Sequence, residues 1–235
     1  MKPGIHHMVC LLVVGTLPVG ISPPTDLSET NISISGGAGQ YAHITRGCDG
    51  SVLSKKRIPT REYSVSFDRI DKSGLRFGII GSSLRSREEE SSSATHEDLE
   101  FLEVNPYVGI EGKGAAFCIG LVAMPDGLPG MRRSRTIPSG YLRIGNRRSF
   151  YVDLRFMQTP SALTAGYVQL GLGADPDSGM GTWFGVGAAP HDKIGFLARF
   201  DLHMSRHVHL DLTARLGGSE GVSESGIGVG VRYRR

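Results

Sequence analysis

Charged and polar side chains alternate with apolar ones in the segment IGFLARFDLHMSRHVHLDLTARL, which covers residues 194–216. Ionisable groups spaced in this way could pair with each other, line a pore, hold a metal ion or supply a catalytic base. They are Arg199 and Asp201, then His209, Asp211 and Arg215. Because successive side chains of a strand point to opposite faces, each set shares one face of its strand.

The spacing of potential ligands and nucleophiles predicts neither a metal site nor a catalytic centre. His207 and His209 lie two residues apart before Asp211, but no Cys, Glu or third His follows at a ligand spacing. His209 is therefore interpreted as a pairing residue near a turn. The three cysteines form no CxxC pattern, and no Gly-x-Ser-x-Gly elbow occurs. We therefore expect no enzyme, catalytic residue, metal or cofactor.

Alternation with a period of two runs through most of the chain from residue 32 and predicts an all-β fold of about twelve strands. Helical periodicity is hard to find, and the acidic stretch SREEESSSATHEDLE lacks an apolar face. The predicted strands lie near 32–44, 61–70, 75–86, 101–112, 114–124, 136–145, 149–158, 164–174, 181–189, 193–204, 207–218 and 225–234. Longer connections, including TRGCDGSVLSKKRIPT, alternate with tight ones such as DKSG and GNRR.

The two faces of these strands differ in composition. One face is rich in Leu, Val and Phe on nearly every strand, while Arg, Asp, Glu, Tyr, Trp and Gly dominate the other and Lys is almost absent from it. No helices are available to cover the apolar face, so we expect it to meet lipid while the polar face lines the interior. The predicted lumen-lining residues are Arg143, Asp153, Arg155, Arg199, Asp201, His209, Asp211, Arg215 and Arg232.

Charge pairing is expected to close this interior. A three-residue turn at residues 204–206 would place Asp201 directly opposite His209, and Arg199 directly opposite Asp211. Unpaired charges in a narrow lumen would be costly, so a paired network that is mostly structural is the favoured interpretation. An open, charge-lined pore is the alternative.

The N-terminus and the overall charge place further bounds on function. Residues 1–22 combine Lys2 with a short apolar run and read as a signal peptide, residues 23–31 as a short periplasmic lead-in, and residues 32–235 as the barrel domain. A formal net charge of +3, spread along the chain, argues against nucleic-acid binding.

The signal-like start, the repeated alternating segments and the terminal strand SGIGVGVRYRR resemble those of bacterial outer-membrane β-barrel proteins. The resemblance implies a transmembrane up-and-down antiparallel β-barrel in the outer membrane of a Gram-negative-type bacterium. Its expected function is a narrow channel or a structural or adhesive envelope component. The expected partners are outer-membrane lipid and small solutes or ions. The alternatives are an outer-membrane lipid-modifying enzyme and a soluble secreted β-sandwich that acts as a binding module.

Overall fold

The computed structural model describes residues 28–46, 48–49, 51–86, 99–124, 135–156, 168–176, 179–189, 193–219 and 222–235. These residues form twelve β-strands, and none of them builds a helix that is long and apolar enough to cross a bilayer. The strands are β1 Glu29–Arg46, β2 Val52–Ile70, β3 Leu75–Ser86, β4 Leu99–Glu111, β5 Ala115–Met124, β6 Arg135–Asn146, β7 Phe150–Phe156, β8 Val168–Ala174, β9 Met180–Ala189, β10 Lys193–His203, β11 Val208–Ser219 and β12 Val222–Arg234.

The twelve strands make one closed antiparallel barrel in which each strand pairs with its neighbours in sequence. β1 pairs with β12 to close the ring, with Asn31 facing Arg234. At the end of this seam, the main chains of Thr30 and Arg235 exchange two hydrogen bonds of 2.8 and 2.9 Å. Closure gives every strand a partner on both sides within the ring, which is the condition for a sheet to cross a membrane.

The strand β7, with the sequence FYVDLRF, shows how the faces are sorted. Leu154 is 44% exposed on the outside, whereas Asp153, its neighbour in sequence, is 1% exposed on the inside. The same alternation puts large apolar residues on the outside of strands all around the ring, for example Ile34, Phe117 and Leu170. A closed barrel with an apolar outside and a polar inside confirms the predicted fold class. The β-sandwich alternative is therefore wrong.

One end of the barrel carries the short connections between strands, at residues 71–74, 112–114, 147–149, 175–179 and 204–207, together with the start of β1 and the end of β12. We call it the short-turn end. In the first turn, the Asp71 carboxylate accepts hydrogen bonds from the main-chain N–H groups of Ser73 and Leu75. Gly74 takes φ 84° there, a conformation that other L-residues rarely adopt.

The short turns are also joined to one another through the main chain. The Glu111 N–H donates to the Gly74 carbonyl at 2.7 Å, and the Asp175 N–H donates to the Arg147 carbonyl at 2.8 Å. Further bonds of the same kind join Gly145 to Gly114, His203 to Gly179 and Arg234 to His207. Each short turn is therefore bonded to the next turn or strand around the rim.

The first connection is much shorter than the sequence predicted. The stretch TRGCDGSVLSKKRIPT was expected to be a loop, but β1 continues to Arg46 and β2 begins at Val52. Pairing persists through Ile44 opposite Lys55 and Thr45 opposite Ser54. Antiparallel main-chain hydrogen bonds do not depend on side-chain polarity. A polar hairpin can therefore extend although its sequence shows no alternation of apolar and polar residues.

The other predicted strands match the observed ones to within a few residues. β1 begins at Glu29, three residues ahead of the predicted start at 32. The predicted signal peptide and the acidic stretch between β3 and β4 lie outside the described residues, as do positions 164–167 at the predicted start of β8.

Candidate functional site

All nine predicted lumen residues are on strands of the barrel with their side chains on the inner face. Most of them line one interior cavity of about 340 Å³, a size typical of small-ligand pockets. Asp153 and His209 are the two that do not border it, and both are almost fully buried. The nine residues fall into four groups of contacts, which we describe in turn.

The first group lies where β10, β11 and β12 meet, and its register differs from the prediction. Five residues, 204–208, lie between the paired residues His203 and His209, so Asp201 faces Asp211. The expectation that Asp201 faces His209 and Arg199 faces Asp211 is therefore wrong. Two residues more than the expected three move the pairing by two positions, so each side chain stays on its face.

The expected ion pairs nevertheless form, along the diagonals of the ladder. Arg199 Nη2 lies 3.0 Å from Asp211 Oδ1, and His209 Nδ1 lies 3.2 Å from Asp201 Oδ1. Arg232 on β12 contacts both Asp201 and Asp211 and compensates the repulsion between these two directly opposed carboxylates.

A second group occupies the opposite side of the lumen and depends on Glu111, which was not among the predicted site residues. Arg143 Nη1 lies 2.6 Å from Glu111 Oε1, and Arg76 Nη1 lies 2.9 Å from Glu111 Oε2. Arg76 also binds Asp68, which accepts a hydrogen bond from the Tyr107 hydroxyl. Arg143 directly faces Asp153 in the β6–β7 register but pairs with Glu111 instead.

The third group is built around Asp153, which accepts hydrogen bonds from the Trp183 indole at 3.0 Å and from Arg155 at 2.7 Å. The Arg155 guanidinium also stacks over the Trp183 ring, 4.3 Å from the ring centre. The ring occupies the space above Gly171 and Gly185, where a Cβ atom would collide with it. These glycines leave room for a large interior side chain.

The fourth group is the ion pair between Arg215 on β11 and Glu62 on β2. These strands are separated in the ring by β12 and β1, so the contact joins non-adjacent strands. Glu62 was not among the predicted residues either, although its place in the polar alternation of β2 provides the same signal that identified the others.

A further cluster, missed by sequence reasoning, spans the opening at the short-turn end. Arg147 lies in the β6–β7 turn, yet its Nη1 is 3.3 Å from Glu29 Oε1 at the start of β1. The two positions are on opposite sides of the twelve-stranded ring. Arg147 Nε also binds Asp175 Oδ2 at 2.8 Å, and Arg234 Nη2 binds Glu29 Oε2 at 2.8 Å. We call Glu29, Arg147, Asp175 and Arg234 the mouth cluster.

The mouth cluster is screened from solvent despite its place at the end of the barrel. Glu29 is the first residue of β1 and is 5% exposed. Burial by itself would raise the pKa of the Asp175 carboxyl, but the attraction of Arg147, Arg232 and Arg234 is stronger and lowers that pKa to about 2. Asp175 is therefore ionised at neutral pH.

The closed sheet, the apolar outside and the charged interior define the chain as having the fold of bacterial outer-membrane β-barrel proteins. The β domain of the Bordetella autotransporter BrkA superposes with a TM-score of 0.53 at 11% identity, covering 88% of this chain and 99% of that one. The translocator domain of the autotransporter NalP from Neisseria meningitidis gives 0.52 at 12% identity, covering 91% of this chain and 90% of that one. No protein-family model and no curated protein sequence matches the chain.

Proposed function

We propose that the protein is an outer-membrane barrel whose lumen is held shut by paired charges, and that it acts as a structural or adhesive component of the envelope. Any ion conductance through the lumen is small and intermittent. The observation that carries the proposal is the contact of Arg147 with Glu29, which joins opposite sides of the ring at the short-turn end.

The energetics of confined charges support this proposal. A charge taken out of water is costly unless a partner of opposite sign compensates it, and removal of one partner leaves the other uncompensated. The charged residues named above have oppositely charged partners within ion-pair distance, and several of these pairs join strands that are not neighbours. Such pairs occupy the interior and hold its walls together, so they oppose passage of water and ions.

The apolar outside supports residence in the outer membrane of a Gram-negative-type bacterium, with the lipid of that membrane as the main partner. β1 and β2, with 18 and 19 residues, exceed the 9–11 residues that a strand needs to cross a bilayer. Because their excess length lies opposite the short-turn end, this hairpin extends beyond the membrane on the side of the longer connections. That side is the external one in barrels of this kind, which favours a surface role.

Single-channel recording in planar bilayers tests the closed lumen. The wild-type protein should show small or flickering conductance. Arg147→Ala removes the bridge across the mouth and should raise both the amplitude and the open time. Arg206→Ala removes an exposed arginine from another short turn and should leave the conductance unchanged.

A second variant tests the interior pairs independently of the mouth. Asp211→Asn removes the carboxylate that pairs with Arg199 and one of the two carboxylates that pair with Arg232. The contacts among β10, β11 and β12 in the first group should weaken as a result. Conductance should rise, with weaker preference for cations because a negative charge is lost. A large, steady wild-type conductance that neither Arg147→Ala nor Asp211→Asn changes would show that the lumen is an open pore.

A further inference from the structure

Two histidines and an aspartate meet inside the barrel at the short-turn end. His203 ends β10 and directly faces His209 on β11, with their ring centres 4.3 Å apart. Asp201 lies two residues before His203 on the same face. One potential ligand atom from each of the three residues lies within 4.8 Å of the other two.

Asp175, in the β8–β9 turn, adds a fourth donor to this group. Its Oδ1 lies 3.6 Å from His203 Nε2, which is too long for a hydrogen bond. Within the described part of the chain neither atom has a hydrogen-bond partner, although the His203 side chain is 93% buried, with a relative exposure of 7%. Two buried polar atoms that face each other without a bond are unusual and call for an unseen partner. Gly181 lies beside them, since a Cβ there would be 3.2 Å from both Asp175 Oδ1 and Asp201 Cβ.

Two of the distances between donor atoms match the ligand spacing around a tetrahedral metal ion. Zinc binds imidazole nitrogen and carboxylate oxygen at about 2.0–2.2 Å, which places neighbouring tetrahedral ligands about 3.4 Å apart. The His209 Nδ1 to Asp201 Oδ1 distance is 3.2 Å, and the His203 Nε2 to Asp175 Oδ1 distance is 3.6 Å. An ion would take the place of the proton shared between His209 Nδ1 and Asp201 Oδ1. It would also give His203 Nε2 and Asp175 Oδ1 the partner that they lack.

Arginines hold both carboxylates by the oxygen that faces away from the imidazoles. Arg232 contacts Asp201 Oδ2, and Arg147 contacts Asp175 Oδ2. The Oδ1 atom of each carboxylate is thereby turned toward a histidine. Hydrogen-bonded outer groups that orient the ligands are the usual second layer of a metal site.

We propose that Asp201, His203 and His209 bind one divalent transition-metal ion, with Zn²⁺ as the best fit, and that Asp175 becomes its fourth ligand by a small movement of its side chain. Two imidazoles and two carboxylates suit zinc, whereas calcium and magnesium prefer sites made of oxygen alone. The ion would join the β8–β9 turn to β10 and β11 beside the mouth cluster. This site does not depend on whether the lumen conducts.

The sequence pattern draws attention to His207 and His209 rather than to His203. His207 and His209 are two residues apart, but the His207 side chain is exposed, packs near Tyr233 and bonds the Arg234 carbonyl. His203 is on the preceding strand, and only the observed register of β10 with β11 brings it opposite His209. Asp175 comes from another turn altogether.

Calorimetric titration of the full, untagged chain with ZnCl₂ tests the proposal, after refolding into detergent micelles and removal of metal with a chelator. The wild type should bind one Zn²⁺ per chain, and the thermal unfolding midpoint should rise with Zn²⁺ concentration because only the folded state presents the site. Co²⁺ in place of Zn²⁺ should give the visible absorption of a tetrahedral complex. His203→Gln should weaken Zn²⁺ binding at least tenfold without lowering the stability of the metal-free protein, since His203 Nε2 has no hydrogen-bond partner within the described residues that the change would remove.

His207→Gln is the matched control, because it removes a histidine four residues away that lies outside the cluster, and it should bind Zn²⁺ as the wild type does. His209→Gln should also weaken binding. Because it breaks the bond to Asp201, its folding is checked by heat-dependent gel migration, and His203→Gln decides the question if it fails to fold. The proposal is overturned if the wild type binds no Zn²⁺ stoichiometrically. It is equally overturned if His203→Gln keeps wild-type affinity, or if His207→Gln loses as much as His203→Gln.

Discussion

The cost of placing a charge on the outside of β7 measures whether that face meets lipid. Leu154 lies on this face, between Leu142 on β6 and Leu170 on β8. It is four residues from Phe150, which begins β7 at the short-turn end. At about 3.3 Å per residue and a strand tilt of about 40°, this spacing puts Leu154 about 10 Å into an apolar band about 25 Å tall. Leu154 is therefore close to the midplane, whereas Phe150 is close to the interface.

Leu154→Arg should accordingly lower the free energy of unfolding by about 2–4 kcal/mol, and Phe150→Arg by only about 0–1 kcal/mol beyond the loss of its side-chain contacts. Each arginine variant is compared with the alanine variant at the same position, so that the lost apolar contact is subtracted. Denaturant titrations in lipid vesicles supply the free energies, with the fluorescence of the single tryptophan, Trp183, as the probe. Equal values at the two positions, or a value near zero at Leu154, would refute the assignment of this face to lipid.

Two other predictions concern the interior and the orientation of the barrel. Gly171→Val should destabilise the barrel by about 1–3 kcal/mol through overpacking against Trp183, and should shift tryptophan emission to longer wavelength as the ring loses its buried place; unchanged emission and stability would contradict the packing described here. Trypsin added to intact cells should cut at SKKR (54–57) or MRRSR (131–135), and should spare DKSG (71–74) and GNRR (145–148); cleavage after Lys72 or Arg148 instead would reverse the orientation.

The inner and outer faces could be predicted because alternation is a local property of each strand. Asp153 and Leu154 are neighbours in sequence, and their types alone place one inside and one outside. Register is less local, since two extra residues, His207 and Val208, between the paired positions are enough to move the partner of Asp201 from His209 to Asp211. The sequence of that turn carries no strong signal for three residues rather than five between the paired positions.

Contacts between side chains on opposite sides of the ring could not be predicted from the local sequence pattern. Arg147 looks like an ordinary charged turn residue in GNRR, and Glu29 lies ahead of the first predicted strand. Only the number of strands and closure of the ring place the two on facing sides of one opening. Asp175 and His203 meet for the same reason, through a turn and a strand whose proximity depends on the register of β9 with β10.

The seam between β1 and β12 has a consequence for the order in which the barrel assembles. Every other pair of neighbouring strands is adjacent in sequence, whereas this pair joins the two ends of the barrel and so closes the longest stretch of chain. Glu29 belongs to β1, so it can reach Arg234 on β12 and Arg147 on the far turn only when that last pairing is made. Pairing of β1 with β12 and formation of the mouth cluster at the short-turn end are therefore one step, and a barrel with all its strands paired but with no mouth cluster is not a stage through which the folding chain has to pass.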